Sequence, residues 1–142
     1  MAKVNVYLLF NGDCEEAFNF YKKAFGGEFQ MMSRFKDMPP TEGQLPERSE
    51  LSERILHVSL PISEETVLMG SDGGGDWAAQ HRVGNNFSVS ISAESKKEAD
   101  SLFNALSEGG VVTMPMQKTF WGEYFGMLVD KFEVGWMVGW RS

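Results

Sequence analysis

One arrangement of residues occurs twice along this chain, and it limits the possible folds more than any other feature. Asp13 stands where a helix N-cap belongs, with Glu16 three residues on, and Ala17, Phe20, Tyr21, Ala24 and Phe25 then recur at helical spacing up to Gly26-Gly27. A capping side chain followed by Glu satisfies orphan amides at a helix start, and a glycine supplies the left-handed stop. The plan returns with Ser95, Glu98, then Ala99, Leu102, Phe103 and Leu106, and Gly109-Gly110. The two caps lie 82 residues apart and the two glycine pairs 83, so the modules superpose to within one residue.

The segments around each helix have strand character. Lys3 to Phe10 alternates, with Val4, Val6, Leu8 and Phe10 on one face and Asn5, Tyr7 and Leu9 on the other. Glu28 to Phe35, Arg54 to Ile62 and Thr66 to Ser71 complete a first strand set. In the third of these strands, Leu56, Val58, Leu60 and Ile62 oppose Ile55, His57 and Ser59. Asn86 to Ala93, Val111 to Thr119 and a C-terminal hairpin form the second set. In the hairpin Phe125, Met127, Val129, Val134, Trp136, Val138 and Trp140 fall at every second position around an Asp130 to Glu133 turn, which predicts one heavily apolar face. A lone hairpin is marginal in water, so other elements must cover that face.

These spacings predict an α+β fold of two βαβββ modules, residues 3–72 and 86–141, joined by a linker over 73–85. Each module makes a short mixed sheet with a helix outside, and the pair should form a curved, cup-shaped sheet whose inner face takes a ligand. Asp37 to Glu53, residues 37–53, carries three prolines and no sustained period, and is expected to be a long mobile loop.

With 142 residues and 42% hydrophobic content the chain is long enough for one real core. A net charge of −7 argues against nucleic acid and anionic membrane as partners, since both reward basic patches. No signal peptide or membrane-length apolar run is legible, and the single cysteine, Cys14, cannot pair internally, so a reducing cytoplasmic location is expected.

Several motifs together resemble a known family. Tyr7-Leu8-Leu9-Phe10-Asn11-Gly12 followed by Cys14-Glu15-Glu16-Ala17, then Ile55-Leu56-His57-Val58, and Phe120-Trp121-Gly122-Glu123-Tyr124-Phe125-Gly126 closing with Asp130, resemble the vicinal-oxygen-chelate superfamily. Within it they are similar to the PhnB-like branch, also labelled demethylubiquinone-methyltransferase-like. The resemblance implies a glyoxalase/bleomycin resistance/dioxygenase fold, a homodimer, and in many relatives a divalent metal held by His and Glu from the first and last strands of each module. The corresponding stretches here offer Asn5 and Tyr7, Met69 and Ser71, Ser88 and Ser90, and Met137, none of them a His or a carboxylate. Divalent metals want three or four converging imidazole, carboxylate or thiolate groups. The expectation is therefore a cup with no metal cofactor, a divalent metal being the lesser alternative.

The candidate ligand-binding residues are Tyr7, His57, Met69, Ser88, Trp121 and Met137, with His57 and Glu123 the candidates for any acid–base role. His57 weighs equally as a hydrogen-bonded wall residue, Trp121 weighs more as interface packing, and the methionines as core filler. Cys14 falls at a helix N-terminus, where the dipole lowers a thiol pKa, yet no basic partner accompanies it. No Gly-x-Gly-x-x-Gly follows a strand, and Gly73-Gly74-Gly75 lacks the Lys and Ser/Thr of a phosphate loop, so nucleotide-cofactor chemistry is not indicated. The function expected is small-molecule binding without metal chemistry. The alternative is a metal-dependent lyase, isomerase or dioxygenase of glyoxalase type, which leaves enzymatic activity open.

Overall fold

A computed structural model describes residues 2–37, 50–73 and 80–142. Eight strands and two helices follow in the order β1 (Val6–Phe10), α1 (Cys14–Phe25), β2 (Met31–Arg34), β3 (Ile55–Pro61), β4 (Val67–Asp72), β5 (Val89–Ser92), α2 (Lys96–Ser107), β6 (Val111–Lys118), β7 (Tyr124–Val129) and β8 (Gly135–Trp140). They form two four-stranded sheets, ordered β1-β4-β3-β2 and β5-β8-β7-β6. The second order is the first with every strand replaced by its counterpart. In each sheet the first and last strands of the module pair in parallel and the remaining pairs are antiparallel. The duplicated α+β plan is thus present at the level of strand order.

The chain divides into two compact units, Met1–Lys22 with Gly26–Arg82, and Lys23–Phe25 with Val83–Ser142. Of the expected linker, residues 74–79 lie outside the described residues, as do residues 38–49 of the expected loop. The flanks of that loop are ordered as short 3-10 turns, Phe35–Asp37 and Glu50–Glu53.

In the first unit α1 buries Cys14, Ala17, Phe18 and Tyr21 against the sheet, where Leu8, Phe10, Val58, Leu60 and Leu68 are also buried. Phe18, four residues after Cys14, replaces the expected Phe20 in this stripe. The helix lies very close to β4: a Cβ added at Gly70 would stand 2.5 Å from the Phe18 ring and 2.9 Å from the Leu8 carbonyl oxygen. Phe18 also stacks edge-on against Phe10 and Tyr21.

The start of α1 departs from the expected capping box. Asp13 makes no side-chain cap bond, and the carboxylate that serves the helix start comes from Asp72, at the end of β4. Asp72 Oδ1 accepts from the Gly12 amide at 2.8 Å and the Cys14 amide at 3.0 Å, while Oδ2 accepts from the Ile55 amide at 2.9 Å. Its side chain is only 3% exposed, a burial a carboxylate tolerates when its lone pairs are met by N–H groups. Arg54 adds to the same end of the sheet, its Nη1 donating to Asn11 Oδ1 and to the Gly73 carbonyl, both at 2.9 Å.

A register shift explains a second departure. Ser33 pairs with His57 but Arg34 pairs with Ile55, so β3 carries an extra residue at Leu56. A bulge reverses the side-chain parity beyond it. Ile55, expected beside His57, is therefore fully buried, and Leu56 is not.

In the second unit Ser95 caps as expected, its Oγ accepting from the Glu98 amide at 3.0 Å, while Glu98 Oε1 reaches back to the Glu94 amide at 2.9 Å. α2 buries Ala99, Leu102, Phe103 and Leu106. The hairpin expectation of one apolar face requires correction. Leu128 pairs with Trp136 and Gly126 with Val138, whereas Met127 pairs with Met137 and Phe125 with Gly139. Phe125, Met127 and Val129 consequently lie on the face opposite Trp136 and Val138. A Cβ added at Gly126 would stand 2.8 Å from the Phe103 ring, which places α2 over the face of Leu128, Trp136 and Val138. Asp130, 3% exposed, closes the turn: Oδ1 accepts from the Phe132 and Val134 amides and Oδ2 from Trp136 Nε1 at 2.8 Å.

Two outcomes follow from these contacts. Asp72→Ala strands the buried Cys14 and Ile55 amides and the part-buried Gly12 amide, and should cost about 3 kcal/mol of unfolding free energy in a urea titration, with Asp72→Asn losing less. Glu15, bound by Arg34 Nη1 at 3.1 Å, is held below the ordinary glutamate range first by that hydrogen bond. Its contribution is present above the unfolded-state value of about 4.3 and is lost as pH falls through the lowered folded value. Because the pair is half-exposed, Glu15→Gln should remove no more than about 1 kcal/mol near neutral pH and should reduce the loss of stability on acidification.

Candidate functional site

Each sheet has one face covered by its own helix and one face free of it. In the first unit, register places Tyr7 opposite Met69 and Met69 opposite Ser59 on the helix-free face. Val58 and Leu60 point the other way, so His57 shares the face of Tyr7 and Ser59. The Tyr7 hydroxyl and His57 Nδ1 are 3.1 Å apart, reaching across β4, and the ring centroids are 5.6 Å apart at an interplanar angle of 33°. Tyr7 is 44% exposed and Leu9 51%, so this is an accessible, largely uncharged surface with one imidazole in it.

In the second unit the helix-free face carries Phe125, Met127 and Met137, with Ser90 beside Met137 and Met114 beside Met127. Three thioethers therefore stand in one row across β6, β7 and β8. Ser88 lies at the entry to β5, its hydroxyl 3.1 Å from where a Cβ on Gly135 would be.

The β6–β7 connection shapes the edge of this face. Thr119 Oγ1 donates to the Glu123 carbonyl at 2.7 Å and accepts from the Glu123 amide at 3.2 Å, with the Thr119 amide donating to the same carbonyl. Gly122, at φ 89°, makes the tight turn feasible. Trp121 Nε1 donates to Glu123 Oε1 at 3.2 Å, and the indole meets the Phe125 ring edge-on at 5.8 Å. The Glu123 carboxylate lies over Gly139, where a Cβ would be 2.4 Å from Oε2. This carboxylate is an acceptor already shared with the Trp121 indole.

The structure thus joins Tyr7 with His57 and Met69, and Trp121 with Glu123, each group within its own unit. Met114 and Leu9 are residues the sequence reading missed. Leu9 was legible from its alternation with Tyr7, whereas Met114 depends on the two register shifts in β6.

Cys14 is not the activated thiol that a helix N-terminus alone suggests. It is fully buried, and burial first, then the charges of Asp72, Asp13 and Glu15, push its pKa up. The helix dipole is outweighed. Near α2, the hydrogen bond from the Tyr124 hydroxyl to Asp100 raises the tyrosine pKa.

The divalent metal implied by the resemblance finds no fit: among the described residues, no three His, Cys, Asp or Glu side chains are grouped to hold an ion. No described helix is long and apolar enough to cross a membrane.

Two mixed sheets in matching strand order, each backed by one helix, define the paired βαβββ class. A glyoxalase/bleomycin resistance protein/dioxygenase family enzyme from Burkholderia phytofirmans shares this fold at 16% identity and a TM-score of 0.66, over 99% of this chain and 100% of that one. Within the class, the family model for 3-demethylubiquinone-9 3-methyltransferase matches residues 2–139, and the chain belongs to that family. Protein PA1353 from Pseudomonas aeruginosa is 37% identical with a TM-score of 0.81, covering 99% of this chain and 98% of its own. The putative 3-demethylubiquinone-9 3-methyltransferase, PhnB protein, from Bacillus cereus is 25% identical with a TM-score of 0.70, over 99% and 100%.

The buried thiol supplies a direct check. In native protein Cys14 should resist a disulfide exchange reagent for as long as the fold holds, and should react stoichiometrically in denaturant. Rapid reaction of the folded protein would contradict its burial.

Proposed function

We propose that this chain binds a small, partly apolar organic molecule on its helix-free sheet faces, without a resident metal, and that it works as a cytoplasmic homodimer. The observation that carries the reading is the composition of those faces. They present Tyr7, His57 and Met69 in the first unit, and Ser88, Trp121 and Met137 in the second, in place of the converging imidazoles and carboxylates that a divalent ion requires. Methionines suit an adaptable apolar surface, and aromatic edges with a few hydroxyls orient what lies on it.

The family description names a methyltransferase, but the chain has no Gly-x-Gly-x-x-Gly after a strand to cradle a nucleotide-derived methyl donor. Binding or sequestration accounts for the residues present with less added chemistry. His57 and Glu123 are the groups available for proton transfer if the bound molecule is also turned over.

Native mass spectrometry and elemental analysis of the purified chain test this reading together. The expected result is a dimer that carries or takes up an organic molecule, contains no stoichiometric metal, and melts at the same temperature after chelator treatment. A stoichiometric divalent metal, lost with activity on chelation, would overturn it in favour of a glyoxalase-type lyase, isomerase or dioxygenase. A monomer in sedimentation would overturn the dimer.

A further inference from the structure

Resting on the ligand-binding reading above, we infer that His57 offers its Nε2–H as a hydrogen-bond donor on the first unit's helix-free face, and that the ligand taken there joins an apolar body to a carbonyl or carboxylate oxygen. The assignment begins from Tyr7. Its hydroxyl lies 3.1 Å from His57 Nδ1, and a neutral imidazole has one ring nitrogen that donates and one that accepts. A phenol is the better donor of the two groups and an imidazole nitrogen the better acceptor, so the phenol proton points at Nδ1. The imidazole proton then sits on Nε2.

Two further features give that N–H a purpose. No described residue is bonded to Nε2, while the ring itself is held by Tyr7 and the His57 carbonyl accepts from the Ser33 hydroxyl at 3.5 Å. A fixed N–H on a partly open face is completed by water or by a ligand oxygen, and displacing water favours the partner whose acceptor matches. The surrounding side chains on this face, Leu9, Met69, Ser59 and Ser71, carry no charge. A neutral donor among uncharged neighbours selects an acceptor oxygen attached to an apolar group. It gives an ammonium no carboxylate to pair with at these positions.

The test uses the full chain with nitrogen-15 histidine and three probes of one shape: phenylacetate, phenylacetamide and phenethylammonium. Long-range proton–nitrogen spectra should show His57 with its proton on Nε2 before any probe is added. Both oxygen probes should then move that signal, and the ammonium should leave it unchanged. Tyr7→Phe should weaken the oxygen probes by about threefold to tenfold, the worth of one neutral hydrogen bond, and should mix the tautomers. His57→Phe should abolish the preference for oxygen over ammonium, with an unchanged circular dichroism spectrum showing that the variant folds.

A proton found on Nδ1 overturns the inference and leaves the ligand-binding reading intact. So does a preference for the ammonium, or oxygen probes that leave the His57 signals unmoved. Conversely, a tightly bound metal in the elemental analysis defeats the broader reading, while the tautomer of His57 is read without any ligand.

Discussion

A single buried carboxylate organises the first unit. Asp72 ends β4, and with two oxygens it binds the amides that open α1 and the amide that opens β3. Helix start, strand start and strand end are therefore fixed to one point, 58 residues along the chain from Cys14 and 60 from Gly12. The close seat of α1 on β4, with Phe18 against Gly70, depends on the helix beginning where Asp72 holds it. Arg54, bonded to Asn11 and Gly73, reinforces the same junction from outside. The second unit uses Asp130 in a comparable way at the other end of a hairpin, where it also satisfies the buried Trp136 indole.

The modular plan was legible because it is written in local signals. Ser95 caps as its hydroxyl and Glu98 imply, and Gly26, Gly27 and Gly109 follow their helices at positive φ that other residues rarely adopt. What could not be read from local pattern was anything decided by a distant partner. Asp13 has the right identity and spacing for a cap, yet the carboxylate bonded at the helix start is Asp72, which accepts from the Gly12 and Cys14 amides. Phe18 displaced Phe20 from the helix stripe because the gap at Gly70 admits its ring.

Parity was the second limit. Alternation shows that a segment is a strand but not which side faces the helix, and one bulge inverts the answer. The extra residue at Leu56 buries Ile55 and leaves His57 on the open face. In the hairpin, Asp130 and the turn set a register in which Met127 opposes Met137 and Leu128 opposes Trp136, so two apolar faces exist where alternation alone implied one. The candidate site was legible in its residue types, Tyr7, His57, Trp121 and Glu123, because these stand out against apolar neighbours. Their pairings were not, since the Tyr7–His57 bond crosses an intervening strand.

The parallel pairing of the outermost strand in each sheet bears on how the chain reaches its native state. Val6 pairs with Leu68, so joining β1 to β4 closes a span that contains the helix and both intervening strands of the unit. Loop closure of that span must be met before its contacts reward it, which slows the search relative to a hairpin meander of equal size. Each half thereby ties its edge strand, five residues in β1 and four in β5, to the partner strand that lies farthest along its own unit.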